Sequence, residues 1–574
     1  MKRRDQHFDL NSGALPLHKE LQTFESRADA EIAKLALWRQ PIRTILSSIY
    51  LSADGHYVGG RFNRKGPRDD EVGTAIITRM SYVLEHFATC SRATGADLEN
   101  AMSVVDDRFA AKLSQVLGYA HFSEIMPLAW RGFFVVDHEP RAFTFRHPDG
   151  DFVRYEENDI LMSEMVLPHD LAPPPYPIEN CKKMIKAWPH LPGDSLIEVL
   201  KGALDHYLGN LFELPLLSDA AFAESFDFSR DDFVRLRAAL MSYADFCLGM
   251  ADAAEILSTR AFTRPRRERL QKEVGEWVAP LLNRNHIIGT AAGLSGVEPD
   301  KAESIVDLFT LDLDNLTHSG FGEGFFPPFL RLEDALLFSP HAVKRMMPER
   351  NLLYSMLKTD QKRFHNFVSQ HLEPALLDDA ARYLSAQPDV EVVTNVNWEK
   401  GEIDLLAFHE PSNSALQLQA KAAVPPQGAR MVAQVESRTR EAAEQLSRFL
   451  ELEADAKDSI ASAAFGRPLS AINWSSGVLA RTCLGTQKAW KAIEGYIPLN
   501  LVLLRAAVKH LQQGGAFSFA NLETSVEDEL ASLRAKAALG WQTKDFTLLD
   551  VKMGLPLLDL DYASIHAFRD QAMR

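Results

Sequence analysis

Cysteine is scarce in this chain and never clustered. Four residues in 574, Cys90, Cys181, Cys247 and Cys483, stand far apart and form no Cys-x-x-Cys pair. Neither a zinc site nor a disulfide framework is suggested, and reduced, buried thiols are expected. Long apolar runs are also missing: nowhere do the ~18 apolar residues that a membrane-spanning helix needs follow one another. The opening stretch MKRRDQHFDLNSGAL is basic with no apolar segment behind it, so a cytoplasmic protein without a membrane partner is expected. Positive charge is in short supply. With 62 Lys and Arg against 78 Asp and Glu, the net charge is −16, which excludes indiscriminate coating of nucleic acid, since that binding rests on many Lys and Arg contacts releasing counterions. Any nucleic-acid contact must be local. No Walker-type phosphate loop, internal repeat or low-complexity tract occurs, so intrinsic ATPase activity and repeat architectures are not expected.

What is present is apolar material, at 46% of the chain, enough to fill several cores in about three to four domains. The pattern predicts a multidomain α+β protein, with a large, mainly helical N-terminal region carrying a small antiparallel sheet, followed by an α/β domain. Residues 1–166 show helical spacing and then alternating aromatic and β-branched residues in GFFVVDHEPRAFTFRHPDGDFVRYEEND, which predicts two or three antiparallel strands around a Pro-Asp-Gly turn. The proline-rich LPHDLAPPPYPIENC marks a connector. A second helical region spans 182–320, where IIGTAAGLSGVEPDKAESIVDLFTL has the outline both of a helix-turn-helix and of two ordinary packed helices. Residues 321–360 read as a connecting segment, 361–510 as the α/β unit, and 511–574 as a helical extension.

The chemistry concentrates in GEIDLLAFHEPSNSALQLQAKA, residues 401–422. Side chains alternate across a strand, so Asp404 shares a face with Glu402, Leu406 and Phe408, while Gln417, Gln419 and Lys421 form a polar row on the next strand. A wetted sheet face accounts for such a row. So does a site: Asp404 and the Gln419 amide oxygen are hard ligands of the kind Mg²⁺ prefers, and Lys421, alone among small apolar residues, calls for a carboxylate partner. The helix that follows predicts a buried stripe of Met431, Val435, Ala442, Leu446 and Phe449, with Arg438 and Gln445 on its polar face.

This stretch resembles the core motif of the PD-(D/E)xK nuclease superfamily, whose restriction-endonuclease-like fold runs helix, three strands, helix, strand. The resemblance covers roughly residues 360–510. It implies that Asp404 is the metal-binding Asp, that Gln419 stands at the Glu or Asp position as in the Mrr-type Gln-x-Lys variant, that Lys421 is the motif Lys, and that Ala420 offers its carbonyl to the metal. The implied cofactor is Mg²⁺ or Mn²⁺, and the implied reaction is hydrolysis of phosphodiester bonds, in DNA first of all, in a restriction or antiphage setting. Accessory roles fall to Glu402, to Gln445, and to His365, which stands in KRFHNF where many members carry a Glu. Glu373 lies two turns further along. A catalytically weakened, nucleic-acid-binding or scaffolding subunit is the competing expectation.

Residues 361–510 carry 16 basic and 17 acidic residues and the rest of the chain 46 and 61, so this region repels a polyanion least. Candidate phosphate contacts are Arg438 and, in STRAFTRPRRERLQK, Arg264, Arg266, Arg267 and Arg269; a solvated charged face explains the same residues. The helical region offers a surface for a protein partner or a second copy of the chain.

Overall fold

The computed structural model describes residues 15–62, 107–167, 178–187, 193–212, 215–312, 327–359, 361–425, 429–515 and 517–574, with residues 73, 76, 77, 79, 169 and 170 besides. The architecture is multidomain α+β, in two compact units that interleave along the chain. One takes in residues 1–18, 123–167 and 365–574; the other takes in 19–122 and 168–364. The expected succession 1–166, 182–320 and 361–510 is thereby corrected, because hydrogen bonding joins segments far apart in sequence.

In the first unit, β1 (Val135–Glu139) and β2 (Ala142–Arg146) form a hairpin around Arg141, which adopts φ 64. The predicted third strand is instead α1 (Gly150–Glu164). The Pro-Asp-Gly sequence begins that helix, because the Asp149 carboxylate accepts from the Phe152 N–H at 2.9 Å and caps it. Next come α2 (Gln361–Ser385), β3 (Val390–Trp398), β4 (Gly401–His409), β5 (Ser414–Lys421), α3 (Ala429–Leu450), α4 (Ala454–Phe465), β6 (Asn473–Ala480), α5 (Gln487–Ala492) and β7 (Ile497–Leu499). The sheet order is β7-β6-β5-β4-β3, antiparallel through β3, β4 and β5 and parallel from β5 to β7. Gly477 in β6 is required by close approach, since a Cβ there would lie 2.8 Å from the Ile497 carbonyl oxygen of β7.

The stripe predicted on α3 is buried at Val435, Ala442, Leu446 and Phe449; the side chain of Met431 lies outside the described residues. Phe449 packs on Trp398 of β3 and Trp474 of β6, so α3 covers the sheet face that carries Gln417 and Gln419.

After α6 (Leu501–Gln513), which closes the α/β region, the segment 511–574, expected to be helical, holds α7 (Leu522–Ala537), a long hairpin of β8 (Ala538–Leu548) and β9 (Val551–Leu560), and α8 (Tyr562–Met573). Thr, Trp and Phe alternate with polar residues in WQTKDFTLL, a period-two pattern that favours strand. β9 pairs in parallel with β2 at Lys552↔Ala142 through Gly554↔Thr144. This ladder binds residues 123–167 to the C-terminal half of the chain.

The second unit is built around the helix Arg230–Thr259. Its many small buried residues, among them Ala238, Ala239, Ala244, Gly249, Ala251 and Ala254, let neighbouring helices approach closely. Ser229 and Asp232 cap it reciprocally. The expected connecting segment contributes the strands Phe329–Leu332 and Ala335–Phe338 and the helix Pro348–Thr359; Leu330, Phe338, Leu352 and Leu353 are fully buried, so it is core. The helix-turn-helix outline is two helices, Arg284–Ser295 and Pro299–Leu308, joined through Gly296 at φ 70. On the second of these, Asp300, Glu303 and Asp307 are exposed or half-buried, with Arg284 paired to the last two. An acidic outer face repels phosphates and is unsuited to a recognition helix.

Cys181, Cys247 and Cys483 are buried; Cys90 lies outside the described residues. Among the described residues, no helix is long and apolar enough to cross a membrane.

Candidate active site

The polar row on β5 is not a wetted face. Gln417 and Gln419 are 0% and 1% exposed, so their amides sit inside the unit, and only Lys421 at the strand end is half-buried. The β4–β5 ladder ends at Leu405↔Leu418. Beyond that point the two strands are joined by side chains. The Ala420 N–H donates to Asp404 Oδ2 at 2.7 Å, and Gln419 Nε2 donates to the Glu402 carbonyl at 2.6 Å. On the other side, the β3–β4 ladder passes over Asp404 and Asn395, and Asn395 takes φ 56. Asp404 is thus at the point where β4 is freed from regular pairing on both edges.

The Gln419 bond fixes the amide's orientation. A carbonyl can only accept, so the NH₂ group must face Glu402 and Oε1 must face away from it. That oxygen is buried and has no hydrogen-bond partner. Leaving such an acceptor unsatisfied costs about 1–3 kcal/mol, a cost that a bound cation removes.

Burial pushes the Asp404 carboxyl up to about 6; the charges of Glu373 and Glu402 add to this, while the Lys421 ammonium and the Ala420 N–H oppose it. Lys421 makes no hydrogen bond or ion pair with the described residues; of the groups around Asp404, its ammonium does most to keep the carboxylate ionised. Glu373, half-buried on α2 directly ahead of the helix-interior Pro374, is thereby located beside the site. His365 is exposed on the same helix. The charge of Glu373 thus acts on Asp404, whereas His365, where an accessory role was expected, is exposed. A sequence signal existed in the charge type of Glu373, but its spacing from the motif depends on how α2 packs.

The other expected residues separate. Glu402 is exposed and acts on Asp404 by charge. Gln445 is half-buried, with Oε1 enclosed and unpartnered, and among the described residues no hydrogen bond joins it to Asp404 or Lys421. Arg438 is exposed, donates to Glu441 at 3.3 Å, and lines a small cleft with Lys421. Arg264, Arg266, Arg267 and Arg269 belong to the other unit, on the helix Arg264–Val278. There Arg264 pairs with Glu268 and Arg269 with Glu273, which spends part of the cluster's charge internally.

The loop after β6 completes the surroundings. Asp159 of α1, buried, accepts from the Leu484 N–H at 2.8 Å, the Gly485 N–H at 3.0 Å and the Trp490 Nε1–H at 2.9 Å. Thr439 of α3 donates to the Leu484 carbonyl at 2.9 Å. Gly485 adopts φ 111, and a Cβ there would meet the Glu436 backbone nitrogen at 2.8 Å. The loop is thus clamped between α1 and α3, a support that no local reading of residues 150–164 reveals.

Among the described residues, no group of three or more His, Cys, Asp or Glu side chains gathers at metal-binding range. The oxygens on hand for a cation are the Asp404 carboxylate and the orphaned Gln419 Oε1, with Glu373 and Glu402 nearby. These are hard donors with little net charge, suited to a weakly held divalent ion that keeps most of its waters. In comparison with known proteins, no family model, curated protein or solved structure matches this chain.

Proposed function

We propose that residues 361–510 form a metal-dependent nuclease domain of the PD-(D/E)xK type that hydrolyses phosphodiester bonds, with DNA as the first substrate to test. The observation that carries this reading is the meeting of Asp404, Lys421 and an unpartnered Gln419 Oε1 where β4 and β5 part. The element order α2, β3, β4, β5, α3, α4, β6, which adds one helix before the last strand, supports it as well.

A divalent cation, when bound, supplies Lewis-acid activation of water and neutralises phosphate charge; Asp404 and Gln419 would hold it, with Glu373 adding negative charge. Ala420 and Lys421 keep Asp404 ionised and aligned, since one donates its N–H and the other lowers the cost of the charge. The Lys421 ammonium, unengaged by described side chains, can donate to the attacking water and to a non-bridging phosphate oxygen as negative charge develops there. The water oxygen bonds to phosphorus as the water gives up a proton to solvent, the bond to the leaving oxygen breaks, and the leaving oxygen takes up a proton from solvent.

The test is incubation of the full chain with linear, circular and single-stranded DNA and with RNA in Mg²⁺ or Mn²⁺, beside Asp404→Ala and Lys421→Ala. Wild-type cleavage that drops at least about a hundredfold in each variant is expected. Cleavage that persists in both removes the site.

A further inference from the structure

Beside Lys421 lies a cleft that the hydrolytic reading does not use. Its walls come from three elements: Lys421 and Ala423 at the end of β5, Arg438 and Thr439 on α3, and Arg481 after β6. Three cationic residues therefore line one small opening. Their positions differ in a way that suits an anion. Arg481 is buried, with a side chain 2% exposed, and pairs with Asp379 of α2 at 4.0 Å; it is held at the base. Arg438 has a side chain 62% exposed and a 3.3 Å contact to the similarly open Glu441, a pair of the kind that contributes little and yields readily to a better anion. Lys421 links this cleft to Asp404. The clamped loop described above fixes one wall, so Arg481 is in place before any ligand arrives and only the side chains at the rim remain to be ordered on binding.

We infer that this cleft binds a phosphate group of a nucleic-acid strand, adjoining the one that is cleaved. The inference rests on the nuclease reading for its place in the reaction, but its binding chemistry stands apart from cleavage. Guanidinium groups present paired N–H donors that match phosphate oxygens, and a fixed Arg at the base with a movable Arg at the rim can grip one phosphate from two sides. The phosphate can be a terminal monoester or an internal diester; both offer non-bridging oxygens to the same donors.

The experiment measures binding of short duplex and single-stranded oligonucleotides, with a 5′-phosphate, a 3′-phosphate or neither, in EDTA, where no metal-dependent cleavage occurs. Full-length wild type, Arg438→Gln and Asp404→Ala are compared across a range of salt concentrations. Arg438 is exposed, so its replacement leaves the fold intact, and Arg438→Lys serves as a charge-preserving control. Arg438→Gln is expected to weaken binding about tenfold and to lower the salt slope by about one, Arg438→Lys to recover part of the loss, and Asp404→Ala, which removes a negative charge, to bind at least as tightly as wild type. A wild-type preference for one phosphorylated end that vanishes in Arg438→Gln identifies a terminal monoester; equal losses for all oligonucleotides identify an internal phosphate. Wild type that does not bind, or Arg438→Gln that binds like wild type, overturns the inference. Arg438-dependent binding without any Asp404-dependent cleavage in Mg²⁺ leaves the cleft standing and removes the nuclease reading. Asp404-dependent cleavage by an enzyme whose binding ignores Arg438 does the reverse.

Discussion

Each unit of this protein holds a buried aspartate near a lysine, and the two pairs are built oppositely. In the helical unit, Lys344 Nζ donates to Asp245 Oδ1 at 2.5 Å and to the Tyr207 hydroxyl at 3.1 Å, the Tyr207 hydroxyl donates to Asp245 Oδ2, and both charged side chains are almost wholly enclosed. In the sheet-bearing unit, Asp404 and Lys421 act on each other only by charge, Asp404 takes a backbone N–H, and Lys421 stays half-buried. The first pair satisfies itself, so its charges are spent on holding the helices Gly193–Asn210, Arg230–Thr259 and Pro340–Arg345 together. The second leaves donors and acceptors unspent at a break in the sheet. Unspent polar capacity inside a folded unit costs stability, and a ligand of matching charge would relieve that cost.

That contrast breaks most visibly on the structural side. Lys344→Ala strands the Asp245 charge in the interior and should destabilise the helical unit by about 3–5 kcal/mol, read as an early unfolding transition in urea. Lys421→Ala should cost less, about 1 kcal/mol at neutral pH, because it breaks no hydrogen bond among the described residues and removes only a through-space charge that favours the Asp404 carboxylate. If both variants unfold alike, the two pairs are not different in kind.

Asp404→Asn sharpens the comparison from the other side. The carboxyl is raised from an ordinary value near 3.8 to about 6, so the folded state binds the proton more tightly than the unfolded one, and the charge is a stability cost. The cost is absent below about pH 4, grows between pH 4 and 6, and is fully present above about pH 6, where it amounts to about 3 kcal/mol at most. Without metal, Asp404→Asn should raise the thermal midpoint at pH 8 and match wild type at pH 4. Added Mn²⁺ should shrink the difference at pH 8, since a cation relieves the same charge. A midpoint at pH 8 below that of wild type counts against a destabilised carboxylate.

A smaller effect is expected at the clamp. Gly485→Ala places a Cβ against the α3 backbone at a left-handed position, and should cost about 1–3 kcal/mol while weakening oligonucleotide binding more than it alters the far side of the sheet. Calorimetry together with the EDTA binding assay separates these outcomes.

Much of the central sheet was legible because it is local. β3, β4 and β5 follow one another through short connections, so alternation and turn length set which side chains meet, and the polar row of Gln417, Gln419 and Lys421 could be read directly. The amphipathic period of α3 was legible for the same reason. Whether that row was wet or buried could not be read, because burial of a face depends on what packs over it, and Phe449 reaches Trp474 only in the folded unit. Aromatic and β-branched content favours a strand at residues 151–159, and the Asp149 cap overrides that preference with a helix.

By itself, then, the sequence determined the hairpin, the residue types on each face, and the absence of any excess positive charge. These follow from periodicities of two and 3.6 residues and from composition, which need no knowledge of distant chain. Only the tertiary structure decided that the charge of Glu373 acts on Asp404, that Arg438 and Arg481 line one cleft with Lys421, and that residues 123–167 fold with the C-terminal half. Each of those depends on which helix packs where, and packing is a matter of complementary surfaces that carry no period a linear reading can detect.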